Sequence, residues 1–505
     1  MQSDIATPTL FDRILKTAFW ALVAFGASLI WLAHRPPMVD LPQHAGQITL
    51  WLDLLKGASP WESLIRVNML TPYLIGYTAA LPFTALFGPL IAVKIILTIS
   101  YIGWIFACRA LRKETGSDPR LEFLFLYSFF GFAWQWGFMT FLVSAPISIL
   151  FLLFAWRYAK EPNMAKGAGL IGLGIILLFS HALLFVFAVG IGGLIVLIEQ
   201  RRILNLIAAS APYVILAAVL VVFRFFAHDF NDAVNLDQVA STTSSFGISP
   251  QDRWGPAILF TATSALSNLS YLLAIGALLI SVLMGGRIQK GAPLVMFAVL
   301  IGILGFTPDL LFGTGFVSSR FALFLPIFWA LMWKPPQKPS SIAVASTCLL
   351  ILLCAGILAV RANFILAFAK ETASFEKILA VAEPGERAIN LTFNRKSDAM
   401  NDNNAYLHMS LWYQAEKNGF VDFNFAYFFP QVIRFRKDIG PVVSDSLGFH
   451  AEAFNWGDPS TQVYRYAFIR GSRENAAGVA KAPPCGTEVI AQEAEWTLLK
   501  RRDCN

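Results

Sequence analysis

Charge is scarce in this chain of 505 residues: Asp, Glu, Lys and Arg together make up 14%, where soluble domains carry about 25%. More than half of the residues are apolar, and the mean hydropathy is +0.59. That shortage excludes an ordinary soluble globular protein and indicates an integral membrane protein. Cysteine and histidine are also few, five and six, and no Cys/His metal-ligand spacing occurs among them. No 20–50-residue repeat and no low-complexity tract is present, which excludes solenoids and propellers. The first apolar run, residues 17–33, lacks a small-residue cleavage site, so it reads as a retained anchor. The net charge of +7 does not mark a nucleic-acid partner, because the basic residues sit in short loops between apolar runs.

A crossing helix needs about 20 apolar residues, with about 17 tolerable. Eleven runs qualify or come near: 17–33, 89–110, 121–136, 138–156, 167–180, 182–198, 203–223, 267–284, 293–306, 321–333 and 341–360. The stretch 167–198 is read as two helices. Arg157, Lys160 and Lys166 precede it and Arg201 and Arg202 follow it, and a hairpin keeps both basic ends on one side. Arg13/Lys16, Arg109 to Arg120, Arg287/Lys290 and Lys334/Lys338 then fall on that same side, predicted to be the cytoplasm. The opposite side receives a first outer loop over 34–88, the turn around His181, the loop after Arg224, the loop 307–320, and everything beyond Arg361. Counting 68–87 as a crossing would break this charge pattern, so with Pro72 and Pro82 it reads as a half-inserted or interfacial helix. An amphipathic surface helix is expected before it, from Trp51, Leu54, Leu55, Trp61 and Leu64 interleaved with Lys56, Glu62 and Arg66.

The chain is therefore expected to comprise a membrane domain over 1–362 and a small outer α/β domain over 363–505. Period-two alternation in 421–429 and 462–469 predicts strands, and 404–418 reads as helical. Cys108, Cys348 and Cys354 lie in apolar runs, whereas Cys485 and Cys504 lie in the polar region, where a disulfide is expected in an oxidising compartment.

Polar residues at the outer ends of the runs are the candidates for function. Asp40 follows the first run at once, in the proline-stiffened segment His34-Arg-Pro-Pro-Met-Val-Asp-Leu-Pro-Gln-His44. An acid held at a membrane surface is costly unless solvated or paired. His44, Lys94, His181, Arg224, Asp309 and Arg320 join it. Trp134 and Trp136 fit an interfacial aromatic belt, and most of Trp412, Tyr413, Tyr427 and Trp456 are expected in the core of the outer domain.

This arrangement resembles the GT-C superfamily of membrane glycosyltransferases. The resemblance rests on the long first outer loop with an acid directly after helix one, the odd count of crossings and the C-terminal outer domain. It rests also on Phe179-Ser-His-Ala-Leu183 between two short helices and on the loop Thr307-Pro-Asp-Leu-Leu-Phe-Gly-Thr-Gly-Phe-Val-Ser-Ser-Arg320. It implies transfer of a sugar from a polyprenyl-phosphate donor to a glycan, lipid or protein acceptor, with inversion, at the periplasmic face of a bacterial inner membrane. Asp40 is then the base, and His44, Lys94, His181, Arg224, Asp309 and Arg320 bind substrate. A divalent metal is the one cofactor the resemblance leaves open; Leu41 stands where many relatives carry a second acid. The competing class is a non-enzymatic protein of envelope polysaccharide assembly or transport. A transporter would place polar groups near mid-helix, whereas these lie at the ends.

Overall fold

The computed structural model describes residues 10–227, 265–308, 315–338, 340–400, 402, 404–427, 431–436, 439, 442, 445–481 and 486–502, without the side chains of 265–268, 445 and 446. Helix α1 spans Leu10–Leu29, α2 Leu41–Leu55, α3 Leu74–Phe87 and α4 Pro89–Thr115. Among the described residues five helices are long and apolar enough to cross a membrane: α4, Met139–Lys160, Ala182–Glu199, Ile203–Phe226 and the helix that starts at Ser341. Shorter apolar helices, among them Met164–Ser180 and Ala292–Phe306, pack beside them. The protein is thus a mostly helical membrane protein, and among the described residues eleven full-length crossings are not confirmed.

At two of the expected runs the difference has a physical cause. The run 121–136 is not one helix but a 3-10 turn at Pro119–Phe123 and two helical turns, Leu124–Ser128 and Phe132–Trp136. Almost all of it is buried inside the protein. Hydropathy registers removal from water and cannot tell a protein interior from lipid. The same holds for 321–333, which is assembled from Phe321–Phe324 and Leu325–Leu331. At 167–198 the expected hairpin is present: the chain turns extended at His181, and the two helices it joins pack on each other.

The basic segments gather at one end. Glu114 pairs with Arg157 at 2.7 Å, and Gln200 donates to the Ala159 carbonyl. Arg120 reaches the Met284 carbonyl, and the Asp118 N–H donates to that of Trp333. Asp12, Lys16, Arg109 and Arg120 line a common cavity there.

Strand β1 (Ile65–Val67) lies in the first long loop, and β2 (Arg287–Ile288) pairs antiparallel with β3 (Trp333–Lys334) at the basic end. The C-terminal region holds β4 (Arg387–Thr392), β5 (Phe420–Asp422), β6 (Ile433–Phe435), β7 (Tyr466–Arg470), β8 (Thr487–Glu493) and β9 (Trp496–Arg501). Five of them form a sheet of order β5-β4-β7-β9-β8, in which β4 runs parallel to both neighbours. The helix Ser341–Glu371 runs through residue 363 without a break and leads into this sheet domain.

No surface helix occupies 51–66. The helix ends at Leu55, Gly57 adopts φ +63°, and β1 pairs antiparallel with β6 of the sheet domain. Its predecessor α2 is an interior helix, with every residue from Leu41 to Trp51 buried. Its polar side chains face the sheet domain: Gln47 Oε1 accepts from the Ile433 N–H, and Thr49 donates to the Ala415 carbonyl. Just before α2, buried Arg35 forks onto Glu376 (2.6 Å) and Glu416 (2.7 Å) and lies 4.7 Å over Trp412. The loop and the sheet domain therefore share one core.

Candidate functional site

Asp40 directly precedes α2, without a side-chain capping hydrogen bond, and is 8% exposed. Its N–H donates to the Trp136 carbonyl at 2.9 Å, and that of Val39 to Gln135. This backbone pairing is possible because Gly137 lies alongside at φ +92°, a conformation glycine adopts without a steric penalty. The Trp136 side chain hydrogen-bonds the Asp40 carboxylate. From the sheet domain, His408 Nε2 stands 3.4 Å from Asp40 Oδ1.

Arg320 supplies the positive charge. It is 9% exposed, donates twice to the Gly315 carbonyl (3.2 and 3.0 Å) and lies 3.6 Å from the centre of the Phe138 ring. Its charge acts on Asp40, His44, His181 and Tyr73, and it hydrogen-bonds Tyr73. Burial pushes Asp40 up to about 7, while Arg320 and the Trp136 hydrogen bond favour its carboxylate. Burial, and after it the charge of Arg320, holds His44 down to about 3, against a contact with Gly137. His408 is likewise held at about 3 by burial. At neutral pH these groups thus comprise one acid poised near its midpoint, the uncharged imidazoles of His44 and His408, and one guanidinium.

Around these groups the wall is aromatic. The Tyr77 hydroxyl lies 2.6 Å from His44 Nδ1 and donates to Gln431 at 2.8 Å. His181 is 2% exposed, packs 5.1 Å from Tyr73 and 5.3 Å from Phe141, and neither of its ring nitrogens has a hydrogen-bond partner among the described residues. A buried imidazole without partners costs free energy unless a ligand completes it. Phe316 holds φ +56° and packs at a tilt against Trp136, ring centres 4.2 Å apart.

Of the residues singled out in the sequence, Asp40, His44, His181 and Arg320 come together. Lys94 does not join them: its Nζ donates to the Ala33 carbonyl at 2.8 Å and lies over Trp31, tying α4 to the end of α1. Arg224 is exposed near the end of its helix. Asp309, Cys485 and Cys504 lie outside the described residues. Trp134 is buried inside the protein rather than in an interfacial belt, and Trp136 borders the site. Trp412, Tyr413 and Trp456 are core residues, as expected. His408, Gln43, Tyr73, Tyr77 and Gly137 went unrecognised in the sequence; the Gln43-His44 pair in the first turn of α2 was the available signal. Among the described residues the donor set fits a metal poorly, since one carboxylate beside an arginine leaves a divalent ion short of oxygen ligands.

No family model matches the chain, and no curated protein matches it by sequence. Among solved structures it is similar to the arabinofuranosyltransferase AftD from mycobacteria, at 13% identity and a TM-score of 0.50. The alignment covers 97% of this chain and 40% of that one, so this chain spans well under half the length of that enzyme. A mutant of the same enzyme aligns at 12% identity, over 98% of this chain and 42% of that one, with a TM-score of 0.48. The likeness is one of fold.

Proposed function

We propose that this protein is a membrane glycosyltransferase that moves a sugar from a polyprenyl-phosphate carrier to an acceptor hydroxyl, at the periplasmic face of a bacterial inner membrane. The observation that carries the reading is the convergence on Asp40 of Arg320, from the short helix Val317–Arg320, and His408, from the sheet domain. The fold shared with an arabinofuranosyltransferase supports it. The gathering of the basic loops at the end away from Asp40 supports the orientation.

Asp40, with its carboxyl near 7, takes the proton of the acceptor hydroxyl as that oxygen bonds to the sugar's anomeric carbon. The bond from that carbon to the phosphate oxygen breaks, and the polyprenyl phosphate leaves with the electron pair, giving inversion. Arg320 offsets the charge on the departing phosphate, and Tyr73 and the unpartnered His181 offer further contacts to it.

The test uses purified protein in lipid vesicles with a panel of radiolabelled polyprenyl-phosphate-linked pentoses and hexoses. Release of polyprenyl phosphate by the wild type, and its loss in Asp40→Asn, is the expected result. Equal release by both proteins, or none with any donor, would remove the support for the reading.

A further inference from the structure

The sheet domain contributes to the site itself, and the route runs through one side-chain amide. The Phe425 N–H donates to Gln43 Oε1 at 2.8 Å. A backbone N–H has no lone pair, so this contact fixes which end of the Gln43 amide is oxygen. Gln43 Nε2 then donates to the Phe423 carbonyl at 3.0 Å and faces His408 Nδ1, also at 3.0 Å. An amide NH2 group cannot accept a hydrogen bond, so Nδ1 must present its lone pair. The His408 proton therefore sits on Nε2, the nitrogen 3.4 Å from Asp40 Oδ1. A protonated ring would turn Nδ1–H against the Gln43 amide, donor against donor.

We infer that His408 is a positioning residue for Asp40: the sheet domain, through a neutral imidazole locked in its Nε2–H form, donates to the carboxylate and sets its orientation. This rests on the functional reading above, which makes Asp40 the base. His408 is not itself a base, because its lone pair is committed to Gln43. Its hydrogen bond favours the ionised carboxylate and so opposes the burial that holds Asp40 protonated. The 3.4 Å separation is long for a hydrogen bond, and such contacts commonly shorten once substrate is bound. The packing supports the geometry: Phe423 lies 5.4 Å from the His408 ring, and Phe425 stands edge-on to His44 at 5.2 Å. Phe423 adopts φ +68°, which turns the chain out of β5 and brings its carbonyl and the Phe425 N–H to Gln43.

Two measurements that need no substrate test the inference separately from the transferase activity. In the first, the difference in thermal stability between wild type and Asp40→Asn is followed against pH, and it stops growing at the pKa of Asp40. The same comparison in a His408→Phe background should place that point about one pH unit higher, and His408→Gln, which keeps an N–H donor, should restore it in part. A break at the same pH with and without His408 overturns the inference. In the second, 15N-histidine spectra of the full-length wild type, which carries six histidines, report the tautomer even if the phenylalanine variant does not fold. An Nε2–H signal for His408 that moves in Asp40→Asn is expected, and an Nδ1–H tautomer overturns the inference. If both results are as expected and no donor is turned over, the positioning stands and the transferase reading falls.

Discussion

Gly137 stands so close to Asp40 that a Cβ added to it would lie 2.6 Å from the Asp40 amide nitrogen. With φ +92° it is strained for any side chain even without that collision. The Gly137→Ala variant should therefore push the start of α2 out of place. Destabilisation of about 2 kcal/mol is expected from backbone strain alone, with activity falling further than stability. A variant as stable and as active as wild type would show that Asp40 is held by other means.

Arg35 is 1% exposed, and its two carboxylate partners are partly open to solvent. Arg35→Met should cost about 3 kcal/mol, the low end for breaking a buried ion pair, because the freed acids can rehydrate. A lower melting temperature and faster proteolysis between the helix Ser341–Glu371 and the sheet domain should accompany that loss. Unchanged proteolysis would indicate that the domain is docked without this fork.

The site makes opposite contributions to stability as pH changes. His44 and His408 have folded pKa values near 3, below the usual 6.5, so each withdraws stability as pH falls through 6.5 toward 3. Asp40, raised from 3.8 to about 7, contributes in the other direction: its penalty grows from about pH 4 to pH 7 and shrinks again on acidification. Between pH 7 and pH 5 each histidine should remove about 2 kcal/mol and Asp40 should restore about 2 kcal/mol. Asp40→Asn is expected to steepen the acid loss of melting temperature, and His408→Gln to flatten it. Parallel curves for all three proteins would contradict the assigned charge states.

Arg320 makes two hydrogen bonds to one carbonyl, which a single ammonium group cannot reproduce. Arg320→Ala should lower kcat/KM for lipid-linked donors by about 10²–10³-fold, and Arg320→Lys should recover little of it. Full activity in the lysine variant would reduce the role of Arg320 to charge alone.

Much of this was legible in the sequence because it is local. An acid after the first apolar run, a histidine between two short helices and an arginine after a glycine-bearing loop can each be read from their neighbours. His408 could not be read that way. It lies in the turns before the helix Leu411–Lys417, within a stretch whose pattern suggested a longer helix, and its partner is far upstream. The alternation at 421–429 predicted a longer strand than Phe420–Asp422, because Phe423 turns away to meet Gln43. The surface helix expected from Trp51, Leu54, Leu55, Trp61 and Leu64 fails for a related reason: α2 stops at Leu55, and Ile65–Val67 pairs with a strand late in the same chain.

The pairing of Ile65–Val67 with Ile433–Phe435 joins an early stretch of the chain to a late one. During synthesis the membrane helices precede the sheet domain, so Asp40 spends most of translation without His408, and β1 without its ladder. The surroundings of Asp40 are thus completed last, and an unfinished chain carries this acid before His408 can reach it.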